Sequence, residues 1–333
     1  MYNIISVKNI SENQWHDYFN MSQELNEKYY PDRFNKADTV EVFRSRIEES
    51  YKKTKGYENY LIKLDNLSIG WFYTTTWGEV FYIGPYINYD VIGNDIFNSV
   101  LKFAYDLMKK SGFQEMFTSS YRKANIDFFI EINAEITEEF VSSQIKREEI
   151  NISLFNSIVN NFNLNDHKTI FCNRIEEEYA DSYLVCFNIA FRDLMNLNKA
   201  KLKYEPFTKE QLIYNQNGDN CKRIILLLNK MNIVIGFSEL FYDKEQRIYS
   251  CDSGFTAVHP EYRGRGAAKF LKAKLYLDLV NEDTIFNSIR TNTLDCNKYI
   301  NNINYELGFK EYRRGYSFRL KRDFIENYLN NIE

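Results

Sequence analysis

Apolar and polar residues alternate along this chain in two periods, and the succession of periods runs through the same order twice. YNIISVKNI (2–10) reads as a strand, followed by helical ENQWHDYFNMSQELNEKYY (12–30) and ADTVEVFRSRIEESYKKTKG (37–56). β-Branched and aromatic residues then cluster in three strand-like runs, YLIKLDN (60–66), SIGWFYTTTW (68–77) and EVFYIGPYI (79–87). NDIFNSVLKFAYDLMKKSG (94–112) returns to the helical period and ends in Lys-Lys and Gly, a helix C-terminal signal. MFTSSY (116–121) predicts a strand, IDFFIEINA (126–134) a short helix and EEFVSSQIKREEI (138–150) a closing strand.

The second pass begins with strand-like HKTIFCNRI (167–175) and helical DSYLVCFNIAFRDLMNL (181–197). RIILLLNKM (223–231), IVIGFSELFYD (233–243) and IYSCDSGFTAVHP (248–260) read as strands, and GRGAAKFLKAKLYLDLVNE (264–282) as a helix. FNSIRTNT (286–293) predicts a strand, NKYINNINYELG (297–308) a helix and YRRGYSFRLKR (312–322) the closing strand. This repetition predicts two like domains, 1–152 and 167–333, joined by a linker at 153–166 whose apolar positions suggest packing.

The length of 333 residues suits two domains, and 44% hydrophobic with 26% charged residues gives each half an ordinary core. A net charge of −4, with no basic run longer than Arg313-Arg314, argues against nucleic acid, whose binding needs a basic footprint. The five cysteines lack CxxC spacing and there are only three histidines, so no zinc pattern forms. Scattered reduced thiols fit the cytosol. The N-terminus does not read as a signal peptide, and no apolar stretch approaches the roughly 18 residues of a membrane span. The expectation is a cytoplasmic protein without metal, nucleic-acid or membrane partners, its oligomeric state left open.

Candidate chemistry concentrates in TAVHPEYRGRGAAKFLKAKL (256–275). A strand ends at Val258, Pro260 stops the ladder, and Arg263-Gly264-Arg265-Gly266-Ala267-Ala268 opens into a helix. Small residues let the backbone approach a ligand closely. The first helix amides lack internal partners and the dipole favours an anion there, so the turn is a cradle for phosphate. Arg263 and Arg265 can add bidentate contacts.

This segment resembles motif A of the GNAT superfamily of N-acetyltransferases, whose core is Arg/Gln-x-x-Gly-x-Gly/Ala. Arg263, Gly266 and Ala268 match it residue for residue, with the usual Val-x-Pro lead-in at Val258 and Pro260. The resemblance implies that residues Arg263 to Ala268 hold the pyrophosphate of coenzyme A. It also implies that strand-end amides at Thr256, Ala257 and Val258 hold the pantetheine arm and thioester carbonyl. Downstream, Asn297-x-x-Ile300-x-x-x-Asn304-x-x-Leu307-Gly308-Phe309 is similar to the tandem-domain branch that includes mycothiol synthase. At about 100° per residue these helical positions share one face, so Asn297 and Asn304 are expected to line the coenzyme channel.

The implied fold is α/β (α+β in some schemes): two tandem GNAT domains, each a mixed twisted sheet flanked by helices. Acetyl-CoA is expected in the second domain, where two central strands splay apart. In the first half, aligned on Pro85, Asn88 replaces the motif arginine and Tyr89 and Val91 replace the glycines. That half reads as a degenerate copy.

An amine attacks a thioester as the free base, so a carboxylate that takes its proton helps. Asp252 stands eleven residues before Arg263, where single-domain relatives commonly place that acid. On a regular strand Asp252, Gly254 and Thr256 share one face. Glu239 on the preceding strand is the second candidate. Many relatives place a tyrosine four residues before the Gly of the Gly-Phe pair as general acid. This chain has Asn304 there, with Tyr305 adjacent but rotated about 100° around the helix. The expected reaction is direct acetyl transfer to the primary amine of a small molecule, an antibiotic or amino sugar being the motivated guess. Protein or peptide acetylation and a non-catalytic acyl-CoA sensor are the rival readings.

Overall fold

The computed structural model describes residues 2–29, 39–88, 93–197, 205–216, 221–242, 249–282 and 286–332. The chain forms two compact units, Met1–Glu139 with Gly315–Glu333, and Phe140–Arg314.

The first unit runs through β1 (Tyr2–Ser6), α1 (Glu12–Tyr29), α2 (Val40–Lys53), β2 (Glu58–Leu64), β3 (Leu67–Trp77) and β4 (Val80–Ile87). It continues with α3 (Asp95–Lys110), β5 (Glu115–Ser120), α4 (Lys123–Glu131) and the opening residues of β6 (Glu135–Lys146). β1 to β4 pair antiparallel, and β4 pairs parallel with β5 across the connection through α3. Successive residues of the strands serve opposite faces. Leu61 and Trp71 pack with Trp15, Tyr18 and Leu25 of α1, while Ile62 and Phe72 pack with Phe97, Leu101 and Phe128 of α3 and α4.

The second unit takes the rest of β6, then α5 (Ile152–Asn161), β7 (His167–Cys172), α6 (Glu177–Leu197), α7 (Lys209–Gln216) and β8 (Cys221–Asn229). β9 (Val234–Tyr242), β10 (Tyr249–Val258), α8 (Ala267–Asn281), β11 (Phe286–Leu294), α9 (Lys298–Glu306) and the start of β12 (Lys310–Lys321) complete it. β7 to β10 are antiparallel, β10 and β11 parallel. α8 buries residues all round, from Ala267 and Ala268 to Leu275, Tyr276 and Leu279, which is why its sequence is apolar on every side.

Two closing strands are not placed as the repeat predicts. The second half of β12 pairs with β5, from Tyr316 opposite Ser120 to Lys321 opposite Glu115, and α10 (Arg322–Ile332) buries Ile325 and Leu329 in the first unit's core. β6 in turn pairs its residues 140–146 with β11. Each half of the chain thus lends its last strand to the other unit, and the compact units do not follow the expected boundaries 1–152 and 167–333. Residues 153–166, expected as a linker, contain most of α5, whose Phe155 is fully buried against α8 residues such as Tyr276.

Candidate functional site

The second unit's central pair of strands stays together for only a few rungs. β10 and β11 pair from Tyr249 opposite Phe286 to Asp252 opposite Arg290. Beyond that rung β10 runs on to Val258 beside β9 alone, and β11 runs on to Leu294 beside β6 alone. The two strands splay, as the resemblance implies, and leave a length of open β10 edge.

Backbone alternation fixes which groups face that gap. The His259 amide donates to the Ile235 carbonyl at 2.8 Å. In an antiparallel ladder the preceding residue then points its amide and carbonyl away from the partner strand. Val258 and Thr256 therefore turn theirs toward the gap, while the Ala257 amide belongs to the ladder with β9. Ala257 leaves the set of expected pantetheine donors, and Thr256 and Val258 stay.

The turn after β10 presents its glycines as the cradle requires. Gly264 and Gly266 have φ of +76° and +80°, the left-handed region, and a Cβ on either would meet nothing within 4 Å. Gly266 caps α8, whose first turn holds no acidic residue. Arg265 leans over Tyr262, 5.9 Å from the ring centroid. Arg263 holds the turn in shape: its Nε donates to the Val258 carbonyl at 2.9 Å and its Nη1 pairs with Asp193 of α6 at 2.8 Å. Those bonds take one donor from each of the two edges with which a guanidinium can grip phosphate bidentately.

The two α9 asparagines differ. Asn297 is the helix N-cap, its Oδ1 accepting from the Ile300 amide at 3.5 Å. Asn304 is 3% exposed, and its Oδ1 has no hydrogen-bond partner. A buried carbonyl without a donor is costly, so the site is suited to an incoming N–H. Tyr305 is 80% exposed and turned to solvent, which separates it from the gap.

The opposite face of the sheet carries the candidate bases. The β9–β10 register slips between Ser253 and Thr256. Gly254 makes room there, since a Cβ on it would land on the Phe241 ring. Before the slip Asp252 sits opposite Phe241, and after it Thr256 sits opposite Ser238, sharing a 2.8 Å hydroxyl hydrogen bond. Neighbours 238 and 241 on β9 face opposite ways. Asp252 therefore lies on the face of Glu239, while Thr256 does not share it, contrary to the regular-strand expectation.

Asp252 is exposed, and Glu239 is 4% exposed. The Glu239 carboxylate accepts from Tyr183 Oη at 2.8 Å and pairs with Lys222 at 2.7 Å. Burial first, then the Glu239 charge, pushes the Tyr183 hydroxyl well above its ordinary pKa. Glu239 is thus already committed to two protein partners. Cys251 is fully buried and its thiol is pushed up to about 12 by burial, so it stays protonated. Among the described residues no group of three or more His, Cys, Asp and Glu could hold a metal, and no helix is long and apolar enough to cross a membrane.

The first unit has the same splay with different contents. β4 and β5 pair only from Phe81 opposite Met116 to Ile83 opposite Thr118. The Asn88 amide bonds the Ile69 carbonyl at 2.9 Å, and Ile87 faces Gly70 as Val258 faces Gly236. Ile87 is therefore equivalent to Val258, and Pro85 to Thr256. The alignment of Pro85 with Pro260 does not hold. Counted back from the start of α3, residues 93 and 94 correspond to 265 and 266; Tyr89, Asp90 and Val91, on which the loop comparison rests, lie outside the described residues.

Proline has no amide to offer a ligand, and the Pro85 carbonyl already accepts from Asn125 Nδ2 at 3.2 Å. Arg122, 5% exposed, lies between Tyr86 and Tyr29 at 4.4 Å and 4.7 Å from their centroids. Asp95 puts a carboxylate in the first turn of α3.

The fold is that of tandem GNAT proteins. A tandem GNAT protein from the clavulanic acid biosynthesis pathway has a TM-score of 0.70 at 10% identity, covering 97% of this chain and 99% of that one. A GCN5-related N-acetyltransferase from Sphaerobacter thermophilus has a TM-score of 0.66 at 8% identity, covering 96% of each chain. The glucosamine N-acetyltransferase region of a fungal multi-domain beta-N-acetylglucosaminidase has a TM-score of 0.60 at 10% identity, over 96% of this chain and 38% of that one. No family model and no curated protein matches the sequence.

Proposed function

We propose that the second unit is an acetyl-CoA dependent N-acetyltransferase acting on the primary amine of a small molecule. The observation that carries this reading is the open β10 edge. Thr256 and Val258 direct amides into a gap that leads to a glycine-capped helix N-terminus with no acid in its first turn. An extended arm with amides can add to that edge like a strand. Asn304 Oδ1 waits on α9 for a donor, and the arm's N–H is such a donor. The phosphates belong at the turn of Gly264 and Gly266.

Bound acetyl-CoA supplies an activated carbonyl. The protein's part is to hold that carbonyl at the mouth of the splay, beside Asp252. Asp252 accepts the proton that the amine loses as its nitrogen attacks. Turnover of acetyl-CoA against a library of aminoglycosides, polyamines, amino sugars and peptides tests the proposal. Consumption with a small amine supports it, consumption with peptides alone replaces the acceptor class, and binding without consumption turns the unit into a sensor.

One acetyl-CoA is expected per chain, bound in the second unit. In the first unit Pro85 removes an amide, Asn125 covers the carbonyl, Arg122 fills the neighbourhood of Tyr86, and Asp95 repels phosphate. Titration followed by native mass spectrometry checks this. Saturation at two coenzymes would mean that the first unit rearranges to bind.

A further inference from the structure

Three polar side chains meet beneath the second unit's splay, outside the coenzyme cradle. Ser253 is the first β10 residue past the last rung with β11, and it sits opposite Leu240, which belongs to the core around α8. On that face Ser253 Oγ accepts 3.0 Å from Lys272 Nζ and 2.8 Å from Tyr276 Oη. Lys272 and Tyr276 are 1% and 0% exposed. Burial is the cause that brings Lys272 down to about 7, so its ammonium is a ready proton donor near neutrality. Among the described residues, the neighbouring Tyr276 and Cys251 are both held protonated by burial, and Arg223 of β8 is paired with Asp278 and Glu282 at the far end of α8.

A hydroxyl has two lone pairs and one proton. With Lys272 and Tyr276 donating into both lone pairs, Ser253 has its proton left to give, at the apex of the gap. Asn304, a carboxamide, has no acidic proton for this purpose. We infer that Ser253 is the proton donor to the departing thiolate and that Lys272 recharges it. The inference rests on the acetyltransferase reading.

The step balances. The amine nitrogen forms a bond to the thioester carbon and the carbon–sulfur bond breaks. The sulfur keeps the bonding electrons and takes the Ser253 proton, and Ser253 takes one from the Lys272 ammonium. The proton lost by the amine goes to Asp252 and on to water, and water recharges Lys272 when the product leaves. The products are the amide and the free thiol.

The test needs only coenzyme A and the full chain. The ultraviolet absorbance of the thiolate, followed against pH for coenzyme A bound and free, reads how well the site holds the anionic sulfur. In the wild type the bound thiol is expected to ionise at least about one pH unit lower than free coenzyme, a tenfold shift. Ser253→Ala and Lys272→Met should each return the midpoint to the free value, with turnover falling in parallel. Tyr276→Phe keeps the serine and lysine and should retain most of the shift, so it controls for damage to the buried cluster. An unshifted wild-type midpoint, or a shift that survives both Ser253→Ala and Lys272→Met, overturns the relay alone. Failure of the wild type to bind coenzyme A overturns the acyl-CoA reading itself.

Discussion

Gly266→Trp is expected to lower coenzyme A affinity at least about a hundredfold while leaving the fold intact. The position caps α8 at φ +80°, and space around a Cβ there is open in the structure. A side chain would stand where phosphate must reach the helix amides. Hydrogen bonds to a charged group contribute about 1.5–3 kcal/mol each, so losing two costs roughly 3–6 kcal/mol, a hundredfold or more. Folding bears a smaller load. A non-glycine residue in the left-handed region costs about 1–2 kcal/mol, against a helix that buries Phe270, Leu271, Leu275, Tyr276 and Leu279 completely. Gly266→Ala separates the two effects, since it brings the backbone strain without a large obstacle and should lose less than about tenfold. Calorimetric titration of both variants decides the matter. Wild-type affinity in the tryptophan variant would place the coenzyme elsewhere.

What the sequence makes legible here is what is local. Val258 to Ala268 is a strand, a glycine turn and a helix start in consecutive residues, and its geometry is as expected. The α8 pattern likewise follows from burial on all sides. The misreadings come from pairings between distant residues. The slip at Gly254 depends on the Phe241 ring from β9, so a period-two count carried Thr256 onto the wrong face. A glycine inside a strand was the available signal. Pro85 looks like the strand-ending Pro260 in sequence, yet ladder bonds from Asn88 make it the equivalent of Thr256, well inside the strand. The exchange of β6 and β12 leaves no trace in either strand's own residues, because both sites accept a similar alternating strand. Lys272 shares its helix with Lys269 and Lys274 and nothing in the spacing marks it as the buried one.

Asp252→Asn is expected to slow turnover at neutral pH by about 10²–10⁴, the usual range for losing a general base, with acetyl-CoA affinity preserved. Two carboxylates share this face, and their surroundings differ. Glu239 is buried, bonded to Tyr183 and paired with Lys222, so its lone pairs hold β8, β9 and α6 together. Removing one partner of such a buried pair weakens the fold by several kcal/mol, and Glu239→Gln should therefore lower stability more than it alters the pH dependence of turnover. Asp252 is exposed on the final rung before the splay, on the side away from α8. An asparagine keeps the shape there and loses the negative charge and the capacity to take a proton. The deficit should shrink as pH rises toward the ordinary amine range near 10, because free amine then accumulates without help. Rate profiles for the wild type and both variants, together with urea unfolding, distinguish the assignments. A pH profile unchanged in Asp252→Asn but altered in Glu239→Gln would transfer the base to Glu239.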